Sequence, residues 1–210
     1  MDNQMKRVII GAGAVALALA ATGYAAASTG DGSAAPAASG TAGRRTVTTL
    51  DGYELGGDVK SAAAFSGNDL VFDGTVAGPA EPARRVRRTV PGGGRIDYVY
   101  TPVPVRVDKV RKGTGVRAGQ TVRVRVLGGA VGSYQTVSSL GPRARDLTRG
   151  LKVTLFTQPL VDAGDGLKAV TPNFAFGYTP DRKNVYSIGP EGFTRKTPGG
   201  SFAKALKSVR

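Results

Sequence analysis

The chain reads as an all-β protein whose folded part is a small, partly open barrel of five or six strands. Three observations predict this class. From Asp58 to about Lys196, β-branched and aromatic residues come in short runs divided by Gly, Pro, Asp and Asn. Within those runs apolar and polar residues alternate at the period of a strand, and no amphipathic helical pattern outlasts two turns. The boundaries that follow are an export segment over 1–27, a flexible linker over 28–57, the barrel over 58–197 and a basic tail over 198–210.

Residues 6 to 29, "KRVIIGAGAVALALAATGYAAAST", admit two readings. Gly11-x-Gly13-x-x-Ala16 after Val8-Ile9-Ile10 has the spacing of a dinucleotide-binding turn, which works only inside a βαβ unit with an acidic residue about 20 positions on. Asp31 has that distance, but it sits in "STGDGSAAPAASGTAG", where no strand-forming run exists. The same letters form a cationic start at Lys6-Arg7, an apolar run from Val8 to Ala21 and a small-residue stop at Ala25-Ala26-Ala27, the build of a secretory signal. The chain is therefore expected outside the cytoplasm, secreted or in the cell envelope, with an uncleaved N-terminal anchor as the alternative. The stretch over 28–57 holds too few large apolar side chains to bury a core and is expected to be a disordered spacer.

The strands follow by alternation. "NDLVFDGTV" places Leu70, Phe72, Gly74 and Val76 on one face and Asp73 and Thr75 on the other. "IDYVYTPVPVRVDKVRKG" turns Val99, Val103, Val105 and Val107 inward and Tyr98, Tyr100 and Arg106 outward. The inward phase then slips to Val110, so a bulge is expected near Asp108-Lys109. "QTVRVRVLGG" carries Val122, Val124 and Val126 inward, with Arg123 and Arg125 outward. "GLKVTLFTQPL", "LKAVTPNFAFGYT" and a short closing "VYSIGPEGFTRK" supply the rest. Pro102 and Pro104 add a constraint, because residues two apart send their N–H groups to the same neighbour. One side of that strand must therefore be an edge or a gap.

Taken together, "NDLVFDGTV", the tyrosine-bearing strand running into "VRVDKVRKGTGVRAGQTVRVRVLGG", Gly150 ahead of "VTLF" and the late Gly192-Phe193 resemble a recurrent domain of secreted bacterial proteins. That domain is similar to the OB-like barrel of the netrin and metalloproteinase-inhibitor group. The resemblance covers residues 67 to about 195 and implies an OB-like barrel. It implies no inhibition through a metal-bound N-terminal cysteine, because the chain has no cysteine.

Composition restricts the chemistry further. The 210 residues include no Cys and no His, which removes disulfides, thiol chemistry, zinc-type sites and imidazole-based triads from consideration. Asp69, Asp73, Asp97, Asp108, Asp146, Asp162, Asp165, Asp181 and Glu191 are scattered, and each reads as a turn former or ion-pair partner; Asp162 and Asp165 in "VDAGDGLK" read as a hairpin turn. Ser133, Ser138 and Ser139 have no base of suitable type beside them in sequence, and a Ser-Lys pair is left open. No catalytic residue, cofactor or metal is expected, and the function predicted is a non-enzymatic binding or interaction module; a secreted enzyme or enzyme inhibitor with an unrecognised site is the alternative.

What remains is electrostatic. The formal charge is +14, and losing 1–27 removes only two cations and one anion. Such an excess favours polyanions. "ARRVRR", expected in a loop, supplies Arg84, Arg85, Arg87 and Arg88; Tyr98, Tyr100, Arg106, Arg123 and Arg125 are expected on the outer face of the neighbouring strand pair. In OB folds that face and loop form the usual ligand platform. The expected partner is an anionic wall polymer, a membrane surface or a secreted protein, with nucleic acid disfavoured because export brings wall polymers nearer. Phe202 and Leu206, four apart in the tail, predict a short basic helix that docks on the barrel or touches a membrane.

Overall fold

The computed structural model describes residues 46–50, 58–89, 91–139 and 141–209, all within the unit Gly43–Arg210. The predicted signal peptide, and the linker apart from 46–50, lie outside the described residues.

In chain order the elements are β1 (Thr46–Leu50), α1 (Val59–Ala64), β2 (Leu70–Val76), β3 (Arg84–Thr89), β4 (Arg95–Lys112), β5 (Thr121–Leu127), β6 (Gly129–Val131) and β7 (Tyr134–Ser138). A 3-10 turn over Ala144–Asp146 leads to β8 (Lys152–Thr157), β9 (Val161–Asp162), β10 (Lys168–Ala169), β11 (Pro172–Tyr178), β12 (Asn184–Gly189), β13 (Gly192–Pro198) and α2 (Gly199–Leu206). The all-β class holds. The strands are more numerous than expected, because "LKAVTPNFAFGYT" and "VYSIGPEGFTRK" each contain two and the supposed loop "RRVRRT" is β3.

Eight strands form one antiparallel sheet in the order β13-β12-β11-β8-β2-β4-β3, with β5 also on β4. The 18-residue β4 organises it. β3 pairs with its first part, Arg95 to Tyr100, and β2 with its last, Val105 to Lys112, while β5 lines its other edge from Tyr100 to Arg106. The stretch between β3 and β2 on β4 is where Pro102 and Pro104 sit. Their carbonyls accept the N–H groups of Glu81 and Ala77 at 2.8 Å each, and the missing proline donors face irregular chain. The expected gap is thus present.

The expected bulge is present too. Asp73 pairs with Lys109 and Gly74 with Val107, which leaves Asp108 as the extra residue; a second shift leaves Arg111 out between Val110 and Lys112. These bends curl the sheet into an open half-barrel. β5 then meets the chain just after β10 through one parallel bridge, Val124 to Val170, closed by Val170 N–H to Arg123 O at 2.9 Å and Arg125 N–H to Val170 O at 2.7 Å.

The curl encloses the main core, which includes Leu70, Phe72, Val76, Val103, Val105, Val107, Val122, Val124, Val126, Val153, Leu155, Val170 and Ile188. These are side chains that alternation turned inward, together with partners from β8, β12 and Val170 after β10. A second core covers the opposite face of β2, β8 and β11. There Val71, Phe156, Phe174 and Phe176 meet Val59 and Ala62 of α1 and Phe202 and Leu206 of α2. The basic tail therefore begins as a helix docked on the sheet, the first of the two placements its apolar pair allowed. Burial on both faces also explains why "VTLF" is apolar without alternation.

The linker expectation fails at 46–50. Thr-Val-Thr-Thr-Leu is a β-branched run, and β1 pairs in parallel with β7, itself antiparallel to β6, in a separate three-stranded sheet. The pairing partner lies about 90 residues away, so local composition carries no sign of it.

Candidate functional site

The four arginines of "RRVRRT" do not form one cluster, because a strand sends alternate side chains to opposite faces. Arg84, Val86 and Arg88 stand opposite Tyr100, Tyr98 and Ile96, whereas Arg85, Arg87 and Thr89 stand opposite Val99, Asp97 and Arg95. Each face has its own chemistry.

On the first face the expected stacking platform is covered. Val86, Tyr100 and Ala163 are buried together, with Ile96, Tyr98, Leu127 and Leu167 packed around them. Ala163 and Leu167 belong to the β9–β10 hairpin, which folds over the tyrosines. Tyr100 was expected to point into solvent and is instead fully buried; Tyr98 is half-buried. The hairpin turn itself is as expected: Asp162 Oδ1 accepts the N–H groups of Gly164, Asp165 and Gly166 at 2.7, 3.0 and 3.1 Å. Asp165 does more than turn the chain. Its Oδ2 accepts from Arg84 Nε at 2.7 Å and from the Tyr100 hydroxyl at 2.6 Å. Burial opposes the charge on Asp165, but those two bonds and the Leu167 N–H outweigh it and hold the carboxyl below the ordinary aspartate range. Burial, followed by the bond to Asp165, pushes the Tyr100 phenol up to about 12.

Arg125 was also expected in solvent and is only 3% exposed. Its guanidinium lies 5.1 Å from the Tyr100 ring centroid and donates to Thr171 Oγ1 at 3.0 Å and to Val161 O at 3.2 Å. Its Nε is buried with no acceptor. The physical reason for both corrections is the same hairpin, which alternation on β4 and β5 alone does not reveal.

On the second face Arg85 is engaged as fully as a surface arginine can be. It makes two 2.7 Å bonds to Asp97 and lies 3.0 Å over the Tyr134 ring of β7. Those bonds to Arg85 hold the Asp97 carboxyl below its usual range. Arg95 reaches the same carboxylate at 3.1 Å. Arg106 and Arg123 are exposed and lie beside Asp108 at 3.4 Å and Glu81 at 3.1 Å. Arg106 is six residues beyond Tyr100 along β4, about 20 Å at the rise of a strand.

Arg87 and Arg88 are different. Both are exposed and neither joins an ion pair among the described residues. Although they leave β3 on opposite faces, both line, with Thr89 and Arg95, a surface cleft at the end of the β3–β4 hairpin. The turn beyond it, Pro91 to Gly94, holds Gly92 and Gly93 at φ +92° and +82°, a backbone region glycine enters without strain. Of the lining cations, Arg95 reaches Asp97, whose two oxygens Arg85 already holds, and Arg87 stands opposite it in register; Arg88 has no carboxylate partner among the described residues. The sequence could not separate Arg87 and Arg88 from Arg84 and Arg85, because the distinction depends on two distant aspartates.

Comparison of the chain with family models, curated proteins and solved structures finds no match.

Among the described residues no group of acidic side chains is arranged to hold a metal. Among the described residues a hydroxyl–lysine pair resembling the Ser-Lys arrangement that the sequence left open occurs at Thr75, whose Oγ1 accepts from Lys152 Nζ at 2.6 Å and donates to Asp108 Oδ2 at 2.6 Å. Lys152 also donates to Asp108 at 3.0 Å. The ammonium and the hydroxyl are both bonded to the same carboxylate, so this trio fits an ion-pair ladder on the outer face of the sheet better than a nucleophile and base. A parallel ladder runs alongside it: Asp73 accepts two bonds from Arg111, at 2.8 and 2.6 Å, and one from Thr154 at 2.8 Å.

Proposed function

We propose that the chain is an exported, non-enzymatic binding module that attaches to an anionic polymer of the cell envelope through the end of its β3–β4 hairpin. The observation that carries this reading is that Arg87, Arg88 and Arg95 line one cleft with no carboxylate in its lining among the described residues, while Asp97, opposite Arg87 in register, is already bound on both oxygens by Arg85. Such a cleft attracts phosphate or carboxylate groups without discriminating strongly among them. The curled, partly open sheet supports the reading as an OB-like platform, and the export segment read at 1–27 supports an envelope polymer over nucleic acid. Arg84 and Arg85, included in the site on sequence grounds, serve here as structural cations.

Pull-down with isolated cell wall across a salt series tests the proposal. Wild-type binding should weaken steeply as salt rises, and Arg87→Ser with Arg88→Ser should reduce binding at low salt at least fivefold and flatten the salt dependence. Arg106→Ser with Arg123→Ser is the control and should change binding less than twofold. The alternative, an exported enzyme or inhibitor, predicts wall binding indifferent to Arg87 and Arg88; that result would remove the site.

A further inference from the structure

The covered face holds a second anion-binding arrangement that the hairpin-end cleft does not involve. Arg84 Nε and the Tyr100 hydroxyl converge on one point, at 2.7 and 2.6 Å from the oxygen that occupies it. Arg125 lies behind the Tyr100 ring, 3% exposed, with a buried Nε–H that meets no acceptor and no carboxylate in an ion pair with it. A guanidinium does not lose its proton at any ordinary pH, so burying it without a counter-ion is unfavourable unless an anion stands near. The carboxylate bonded to the Tyr100 hydroxyl, on whose ring this guanidinium packs, is Asp165.

Asp165 is carried on an unusual support. It sits at the tip of β9–β10, whose ladder consists of two residue pairs, Lys168 with Asp162 and Ala169 with Val161. The two residues flanking it, Gly164 and Gly166, have φ of +101° and +80°. The root of the hairpin is firmly held, with Ala169 fully buried and Val170 bonded to both Arg123 and Arg125 backbone. The tip is held by Asp165 itself and by Ala163 and Leu167 against the tyrosines. The Arg84 side chain is 42% exposed and that of Asp165 7%, so the point where the bonds converge is covered and lies behind a partly exposed guanidinium.

We infer that Arg84, Tyr100 and Arg125 form a carboxylate-binding site whose resident occupant is the chain's own Asp165, held on a hairpin tip that an external carboxylate group can displace. A carboxylate is the class the geometry fits, because a carboxylate already fills the place: one oxygen takes both the Arg84 Nε–H and the Tyr100 hydroxyl, and the other takes the Leu167 N–H. The ligand's carboxylate takes the bonds to Arg84 Nε and the Tyr100 hydroxyl, the tip lifts, and the Arg125 Nε–H becomes reachable. The site uses none of Arg87, Arg88 or Arg95, so it stands or falls separately from the polymer-binding proposal.

The test measures unfolding temperature against sodium acetate, with sodium chloride and sodium phosphate at equal ionic strength as comparison arms, for the wild-type chain and for Asp165→Ala. Removing the resident carboxylate should leave a vacancy that acetate fills. The expected result is a saturable stabilisation of Asp165→Ala by acetate, with half-saturation at least tenfold lower than in wild type, and its loss when Tyr100→Phe is added. A response to phosphate equal to that to acetate would overturn the assignment of a carboxylate site. A folded Asp165→Ala with no saturable acetate response beyond chloride would overturn the site altogether. Should Asp165→Ala fail to fold, Asp165→Asn keeps the shape with a neutral, weaker occupant; it should bind acetate more tightly than wild type, and equal affinity in the two would overturn the inference.

Discussion

Gly74 lies so close to Val105 across the β2–β4 ladder that a Cβ on Gly74 would stand 2.6 Å from Val105 Cγ1 and 2.8 Å from the carbonyl oxygen of Arg106. The approach is tight because the extra residue Asp108 bends β4 toward β2 beside this point. Side-chain rotation cannot relieve the contact with a backbone oxygen. Gly74→Ala is therefore expected to destabilise the fold by about 1–3 kcal/mol, the usual range for overpacking a filled interior. Equilibrium denaturant unfolding measures it, and a Gly74→Ala protein as stable as wild type would show that the bulge does not fix the curl.

That bulge was legible in the sequence, and the reason is instructive. A one-residue slip in alternation, from Val107 to Val110, can be read without knowing the partner strand. The proline gap was legible for the same reason, since a missing donor is a property of the residue itself. The fate of Tyr100 and Arg125 was not. Both alternate outward on their own strands, and only the hairpin at 161–169, more than 30 residues further on, turns that outward face into a buried one. β1 and β3 were missed because their pairing is decided by partners elsewhere. Of the basic face, the sequence named the right segment, 84–88, but as a loop, and two aspartates outside it, Asp97 and Asp165, decide which of its arginines are paired.

Stability should be level across neutral pH and fall on both sides. The chain has no histidine or cysteine to titrate in the middle. On the acid side, Asp97 and Asp165 sit below their ordinary value of 3.8 in the fold; their contribution is present above that value and is lost as pH falls through the lowered folded values. On the alkaline side, Tyr100 is raised from 10.0 to about 12, so its contribution is present below 10.0 and is lost as pH rises toward 12. Thermal unfolding should show a plateau from about pH 5 to about pH 9. Tyr100→Phe should shallow the alkaline limb, and a transition centred near neutrality would contradict the account.

Phe202 anchors α2. It is 1% exposed, with its ring 5.1 Å from Phe176 and 5.8 Å from Tyr178. Truncating a buried phenylalanine leaves a cavity as well as losing transfer energy, so Phe202→Ala should cost about 3–5 kcal/mol. Amide exchange should accelerate first in α2 and in α1, which shares the same core with Val59 and Ala62. The prediction separates docking from membrane contact: if Phe202 served a lipid surface, the soluble protein would lose little stability on its removal.

Thr136 contributes one hydroxyl bond to the join between the small sheet and the large one. Its Oγ1, on β7, accepts the backbone N–H of Val99 at 2.7 Å, and the residue is 3% exposed. Val99 sits on the edge of β4 where β3 pairs on one side, and its own carbonyl accepts from Gly128 N–H at 3.0 Å. Thr136→Val keeps the shape and removes the acceptor, which leaves the Val99 N–H buried without a partner at a cost of about 1–3 kcal/mol. Thr136→Ser restores the hydroxyl, so it should recover most of that loss despite removing a methyl group. The effect should also be local: exchange in β1 and β7 should quicken while β8 and β11 stay protected, because the small sheet meets the large one near β4 here and beside Gly128, and on β3 through the Arg85 stack on Tyr134. Uniform loosening of both sheets would mean that the two are one cooperative unit, with the Thr136 bond incidental to their joining.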